Sequence, residues 1–331
     1  MKPMRMFRPA AAAAAVITSI ALLSLGPHAG ARAASFAGTA ADGASVVSEQ
    51  QVSASTLDVT ISSPAVAADT TVRLLLPAGW SPTAARTWPV LYLLHGCCDT
   101  YQTWTQQTNV AQETQGAPVI IAMPDGGPVG FYSNWWNFGA GGENWETYTA
   151  TELPQILQSG FRASAVQAIA GVSTGGGAAL FIAAHHPGAY QAVASYSGMD
   201  CTLLPAAVAL ILATVTRAGI LPDDLWGDPV LQLSIWQNHD PCSLASSLRG
   251  SRIFLSVGNG LTGAGSNTSC PTGGNILESA VAPSDYALAA DLTVQGISYT
   301  SDFYNGGCHS WPYWSTAFDQ SWPMLESALG A

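Results

Sequence analysis

The sequence predicts an α/β protein with a mostly parallel central sheet and helices on both faces. Three observations predict it. Continuous apolar runs of strand length recur along the chain, as expected for strands buried on both faces. Stretches of helical pattern separate these runs, the alternation that builds a covered parallel sheet. One run leads through Gly171-Val172-Ser173-Thr174-Gly175 into an Ala-rich stretch, the strand–turn–helix setting of a nucleophile elbow.

The first 33 residues stand apart. Lys2, Arg5 and Arg8 make a basic start, an apolar stretch runs from Ala10 to about Leu25, and Ala31-Arg32-Ala33 offers a small-x-small cleavage site. This is the pattern of a secretory signal peptide, and its apolar stretch is short for a membrane span. The most apolar later stretch, 203–221, contains Pro205 and Arg217, so no stable span is expected. The remainder, 34–331, has no internal repeat and no dividing linker, and reads as one α/β-hydrolase domain secreted from the cell.

Within it, residues 34 to about 50 are rich in Ala, Gly and Ser and are expected as a loose arm. Runs at 56–61 and 71–76 predict an antiparallel hairpin. Buried strands are expected at 90–94, 119–123, 166–170, 192–195 and 253–257, with a last one around 298–304. Helices are expected at 146–158, 176–186, 206–217 and 275–295.

Without the first 33 residues the chain keeps six of ten basic residues and all 21 acidic ones, a net charge of 6 − 21 = −15. Such a chain does not seek nucleic-acid phosphates or anionic lipids. Six cysteines in an exported chain point to disulfides. None has zinc-site spacing, and neither a metal nor an organic cofactor is implied.

The elbow glycines have a steric reason: side chains two residues either side of the serine would collide with the strand or the helix. The helix start brings backbone N–H groups and a positive dipole end to Ser173. The serine needs a base. His28 leaves with the signal, His185 and His186 end the elbow helix, and His95 follows the first buried strand in the oxyanion loop. The order in this fold is Ser, acid, His, which leaves His239 and His309. His309 follows the last strand, in Gly306-Gly307-Cys308-His309-Ser310-Trp311. After the 253–257 strand come Glu278, Asp285, Asp291 and Asp302. Asp302 is too close to His309 in sequence, and the pattern leaves Glu278 and Asp285 level. An oxyanion hole needs two backbone donors, expected at Thr174 and Cys97, where Gly96 permits close approach.

With these motifs placed, the chain resembles the esterase D superfamily of α/β-hydrolases, and within it the antigen 85 mycolyltransferase family. Leu91-Tyr92-Leu93-Leu94-His95-Gly96, Met123-Pro124-Asp125-Gly126-Gly127, Phe131-Tyr132-Ser133-Asn134-Trp135, Gly171-Val172-Ser173-Thr174-Gly175-Gly176, Gly258-Asn259-Gly260 and His309-Ser310-Trp311-Pro312-Tyr313-Trp314 carry it. The resemblance covers nearly all of the mature chain from about residue 56. It implies Glu278 as the acid, because Asn275-Ile276-Leu277-Glu278 is similar to the family's Phe-Leu-Glu segment. It also implies ping-pong acyl transfer through an acyl-enzyme on Ser173. The family's oxyanion loop is similar to Asp-Gly-Leu-Arg, whose Asp and Arg help hold trehalose; here it reads His95-Gly96-Cys97-Cys98. His95 and Cys98 therefore take substrate-facing positions without those polar contacts, which disfavours trehalose.

The apolar stretch 203–215 is expected either as a packed helix or as the wall of an acyl cleft, and Trp311 as part of the same cleft. For the cysteines, Cys270–Cys308 would tie the loops bearing acid and base, Cys201 would pair with Cys242, and Cys97 with its neighbour Cys98. The leading expectation is a secreted serine esterase acting on small-molecule or lipid-like esters. The alternative is an acyltransferase moving the chain to a sugar or lipid alcohol. A third reading, a non-catalytic binding protein on the same fold, has the set Ser173, Glu278 and His309 against it. The sequence assigns no oligomeric state.

Overall fold

Ten strands form one sheet in the computed structural model, which describes residues 32–33, 37–261 and 270–331. They are β1 (Arg32–Ala33), β2 (Ser45–Gln51), β3 (Thr56–Ser63), β4 (Ala68–Leu75), β5 (Trp88–Leu94), β6 (Ile120–Pro124), β7 (Ala163–Val172), β8 (Tyr190–Tyr196), β9 (Arg252–Gly258) and β10 (Thr300–Tyr304). Their order across the sheet is β1-β2-β3-β4-β6-β5-β7-β8-β9-β10. The first four form an antiparallel meander, and β4 also pairs antiparallel with β6. From β6 to β10 every neighbour is parallel. The expected mostly parallel sheet is present.

Successive side chains of a strand point to opposite faces, and both faces here are covered. Val90, Tyr92 and Leu94 of β5 pack on one side with the helix Thr174–His185, while Leu91 and Leu93 pack on the other with Phe318 and Leu325 of the helix Trp311–Leu329. Hence β5 and β6 read as unbroken apolar runs. The parallel strands end together, at Leu94, Val172, Tyr196 and Gly258, and the loops that follow meet there, the usual place for a site in such sheets.

Strand β2 and the C-terminal helix, both absent from the sequence pattern, complete the fold. Part of the expected loose arm is strand β2, paired with β3. Most of its side chains are half-buried or exposed, so it lacks the apolar run that marks a central strand. The helix Trp311–Leu329 was not anticipated. Its buried positions Trp314, Ala317, Phe318, Ser321, Leu325 and Leu329 have helical spacing, but Pro312 and Pro323 interrupt the pattern. The expected signal peptide falls on residues of which 1–31 lie outside those described. Among the described residues no helix is long and apolar enough to cross a membrane. Three disulfides are present, Cys97–Cys98, Cys201–Cys242 and Cys270–Cys308, the pairing expected.

Candidate active site

Strand β7 ends at Val172 and the next helix begins at Thr174, so Ser173 occupies the turn between them. Its backbone sits at φ 56°, ψ −123°. A left-handed φ costs a non-glycine residue about 1–3 kcal/mol and persists where surrounding bonds hold it. Here the Ser173 N–H donates to the Tyr196 carbonyl at 2.9 Å, and the Gly176 N–H donates to the Ser173 carbonyl at 2.9 Å. Glycine is required beside it: a Cβ on Gly171 would overlap the backbone of Gly175, and one on Gly175 would overlap the His95 carbonyl oxygen.

The Ser173 Oγ lies 2.8 Å from His309 Nε2, and His309 Nδ1 lies 3.0 Å from Glu278 Oε2. Glu278 is fully buried. Its other oxygen accepts from the Ser197 hydroxyl at 2.9 Å and from the Gly258 N–H at 2.8 Å. The Trp314 indole N–H donates to the same Ser197 hydroxyl at 3.1 Å, and its ring stands edge-on to His309 at 4.9 Å between centroids. Each member of the line is thus held by a neighbour that is itself held. The His309 backbone N–H donates to the Gly274 carbonyl at 3.0 Å, and the Cys270–Cys308 bridge ties the start of the Glu278 helix to the residue before His309. That bridge closes a loop of 38 residues, for which chain entropy gives about 3–4 kcal/mol. Replacing both Cys270 and Cys308 with Ser is expected to lower stability by this amount in urea melts and to reduce ester turnover several-fold.

The structure separates the two acids that the pattern left level. Glu278 and Asp285 lie seven residues, two turns, apart on one face of the helix Gly274–Val294. Glu278 meets His309. Asp285, also fully buried, lies instead beside Asp200, which is equally buried. Asp200 accepts from the Ser195 hydroxyl at 2.8 Å, and the neighbouring Cys201 N–H donates to the Ser284 hydroxyl at 2.5 Å, so loop and helix are joined there. Burial, reinforced by the charges of Asp200 and Glu278, holds the Asp285 carboxyl well above the usual range. Burial also pushes Asp200 up to about 7, against the hydrogen bond from Ser195 and the neighbouring Asp285.

The other histidines are committed elsewhere. His239 is buried, stacked on Trp226 at 4.8 Å with its Nδ1 2.8 Å from the Ile235 carbonyl, and burial pulls it down to about 4. His185 bridges Glu146 Oε1 at 2.6 Å and the Asn238 carbonyl at 2.7 Å; burial works against its charge, but the Glu146 carboxylate prevails and raises it. His95, expected to face substrate, is 1% exposed. Its Nε2 accepts from the Gly126 N–H at 3.2 Å, and its Nδ1 lies 2.8 Å from the Gly96 carbonyl. It braces the oxyanion loop from behind and does not line the cleft.

The cleft above Ser173 has a volume of about 350 Å³. Gly96, Cys97, Cys98, Thr174 and His309 surround the serine at one end. Cys97, Cys98 and Thr174 all border it. Thr174 is the first residue of its helix, where N–H groups have no intrahelical acceptor. Met199, Leu210, Ala213, Leu277 and Trp314 form an apolar wall, with Asp99, Thr214 and Arg217 beside it. Only the C-terminal part of 203–215 is part of this wall. Trp311 is not: it packs against Trp104 and Trp314 at 5.1 and 5.3 Å between centroids. Trp314, one turn further on, takes the place expected of it. The spacing 210, 213, 214, 217 is the sequence signal for the cleft-facing side of that helix.

The Esterase family matches residues 63–325. Diacylglycerol acyltransferase/mycolyltransferase Ag85B of Mycobacterium intracellulare is 30% identical over 259 residues, 73% of this chain and 76% of that protein. Two solved structures share the fold. Mycobacterium tuberculosis MPT51 (FbpC1) superposes with a TM-score of 0.66 at 22% identity over 81% of this chain and 96% of its own. An S-formylglutathione hydrolase from Agrobacterium tumefaciens superposes with a TM-score of 0.66 at 17% identity over 86% and 99%. The fold, the match over most of the chain and the similarity to the Ag85B acyltransferase together make this protein an enzyme of acyl-ester hydrolysis or acyl transfer, and it belongs to the Esterase family.

Proposed function

We propose that the protein is a secreted carboxylic-ester hydrolase that works through an acyl-enzyme on Ser173, with residues 34–331 as its single catalytic domain. The observation that carries this is the line of two hydrogen bonds from Ser173 Oγ through His309 to buried Glu278. His309 Nε2 takes the serine proton as Oγ attacks the ester carbonyl carbon. The N–H groups of Cys97 and Thr174 hold the oxyanion that develops. When the tetrahedral intermediate collapses, the bond to the alcohol oxygen breaks and His309 returns the proton to the departing alcohol. Water then gives a proton to His309 and attacks the acyl carbon. The second collapse frees the carboxylic acid and restores the serine hydroxyl. Glu278 orients the ring through Nδ1 and stabilises the imidazolium.

The apolar wall supports a lipid-like or medium-chain acyl group. The basic-then-apolar start of the chain, the three disulfides and the acidic charge support secretion. Transfer to an alcohol is the second reading, favoured by the name of the Ag85B relative. Against trehalose stands the His95 ring, which is buried and engaged with Gly126 and Gly96. Labelling with a fluorophosphonate and mapping the adduct should place it on Ser173; an adduct on another residue would refute the assignment. In the same preparation, turnover of p-nitrophenyl butanoate with trehalose or glycerol present should yield chiefly free acid. Acylated alcohol as the main product would establish the transferase instead.

A further inference from the structure

We propose that the cleft takes esters whose acyl chain ends in a carboxylate, and that Arg217 recognises that end. This rests on Ser173 as the nucleophile.

Six arginines follow residue 33. Arg73 is paired with Asp58, and Arg86 lies over the Trp88 ring. Arg162, Arg249 and Arg252 donate to the Ala85 carbonyl, the Gln295 carbonyl and the Ser327 hydroxyl. The Arg217 side chain has no hydrogen bond, ion pair or ring contact among the described residues. The segments outside them contain no Asp or Glu, so none of the 21 acidic side chains is its ion-pair partner. The unpaired guanidinium is also not on an arbitrary surface, because it lines the cleft that contains Ser173.

The helix supplies a ruler. Leu210, Ala213, Thr214 and Arg217 stand on one face of the helix Pro205–Arg217, and all four border the cleft. Leu210 and Arg217 are seven residues apart, a rise of about 10 Å. Leu210 and Ala213 are apolar, as are Met199 and Leu277 on the same cleft, so an acyl chain lying along this helix face would set its methylenes against carbon and a terminal group beside the guanidinium. The other charged groups on the cleft do not compete. His309 is bonded to Ser173 and Glu278. Asp99 makes no ion pair with Arg217, and burial raises its carboxyl above the usual range. A planar guanidinium with five donors suits a carboxylate in bidentate geometry. A chain of strongly negative net charge repels free anions, which makes a single cation at the end of an apolar wall a selective device. A basic residue in a last helical turn also complements the helix dipole, but that role would alter stability and not the choice between substrates.

The test compares kcat/KM for mono-p-nitrophenyl esters of the unbranched dicarboxylic acids from butanedioic to octanedioic with p-nitrophenyl esters of monocarboxylic acids of equal carbon number. At the best-fitting length the ratio of acidic to neutral ester should fall about tenfold in Arg217→Ala, the scale of one charge-assisted hydrogen bond. It should recover in Arg217→Lys and fall further in Arg217→Glu. A ratio that is the same for all four proteins at every length would overturn the proposal. Failure of the wild-type protein to cleave any of these esters, acidic or neutral, would instead overturn the Ser173 reading on which it rests.

Discussion

Ser173→Ala is expected to lower kcat/KM for p-nitrophenyl esters by about 10⁴–10⁶-fold, the range found when a hydrolase loses its nucleophile. The variant keeps the backbone of the elbow: alanine at φ 56° carries the same steric cost as serine, and the Ser173 N–H and carbonyl bonds to Tyr196 and Gly176 do not involve the side chain. Circular dichroism and the melting temperature should therefore be close to wild type. His309→Ala should lose a comparable factor, and the double variant should lose little more, because members of one proton-transfer line fail together. Glu278→Gln tests the third member. The amide preserves shape but cannot stabilise an imidazolium, and it presents a donor where His309 Nδ1 needs an acceptor 3.0 Å away. A loss approaching 10⁴-fold in kcat is expected. Retention of more than one per cent of activity in Ser173→Ala would remove the serine from the reaction, and the rest of the line with it.

Ser173 and His309 were legible because their signals are local: a glycine-flanked serine between strand and helix, and a late histidine after the last strand. The buried strands were legible for a related reason, since a strand covered on both faces by helices must be apolar at consecutive residues. Strand β2 was not, because most of its side chains face solvent or the sheet's edge. The choice between Glu278 and Asp285 could not be read from spacing. Two turns apart on one helix they share a face, and what separates them is which loop packs opposite: that of His309 or that of Asp200. Trp311 and Trp314 differ in the same way, by one turn, and only the packing of the C-terminal helix sends the second to the cleft. His95 directly precedes the glycine of the oxyanion loop, yet its ring is turned inward onto Gly126, an outcome set by a neighbour 31 residues away. Arg217 reads locally as the end of an apolar helix. Its position on the cleft face follows from the spacing 210, 213, 214, 217, but that its side chain has no partner among the described residues follows only from the packing of the whole fold.

Asp200→Asn is expected to stabilise the protein at pH 8 by about 2–4 kcal/mol and to change little at pH 4. The carboxyl titrates at about 7 in the folded chain against 3.8 for the free group, a difference worth up to about 4 kcal/mol at 1.36 kcal/mol per unit. The sign follows from linkage. Below 3.8 both states hold the proton and the shift has no effect. As pH rises past 3.8 the unfolded chain ionises and is stabilised, while the folded chain keeps its proton, so stability falls until pH reaches about 7 and is then level. Asparagine removes this titration and retains an oxygen for the Ser195 hydroxyl, which lies 2.8 Å from the Asp200 carboxyl. Urea melts at pH 4, 6 and 8 should show wild type and variant diverging steadily. An equal difference at all three would mean that the pair titrates normally and that burial does not govern it. The cost is borne on the loop of Asp200, where it faces Asp285 on the helix that carries Glu278.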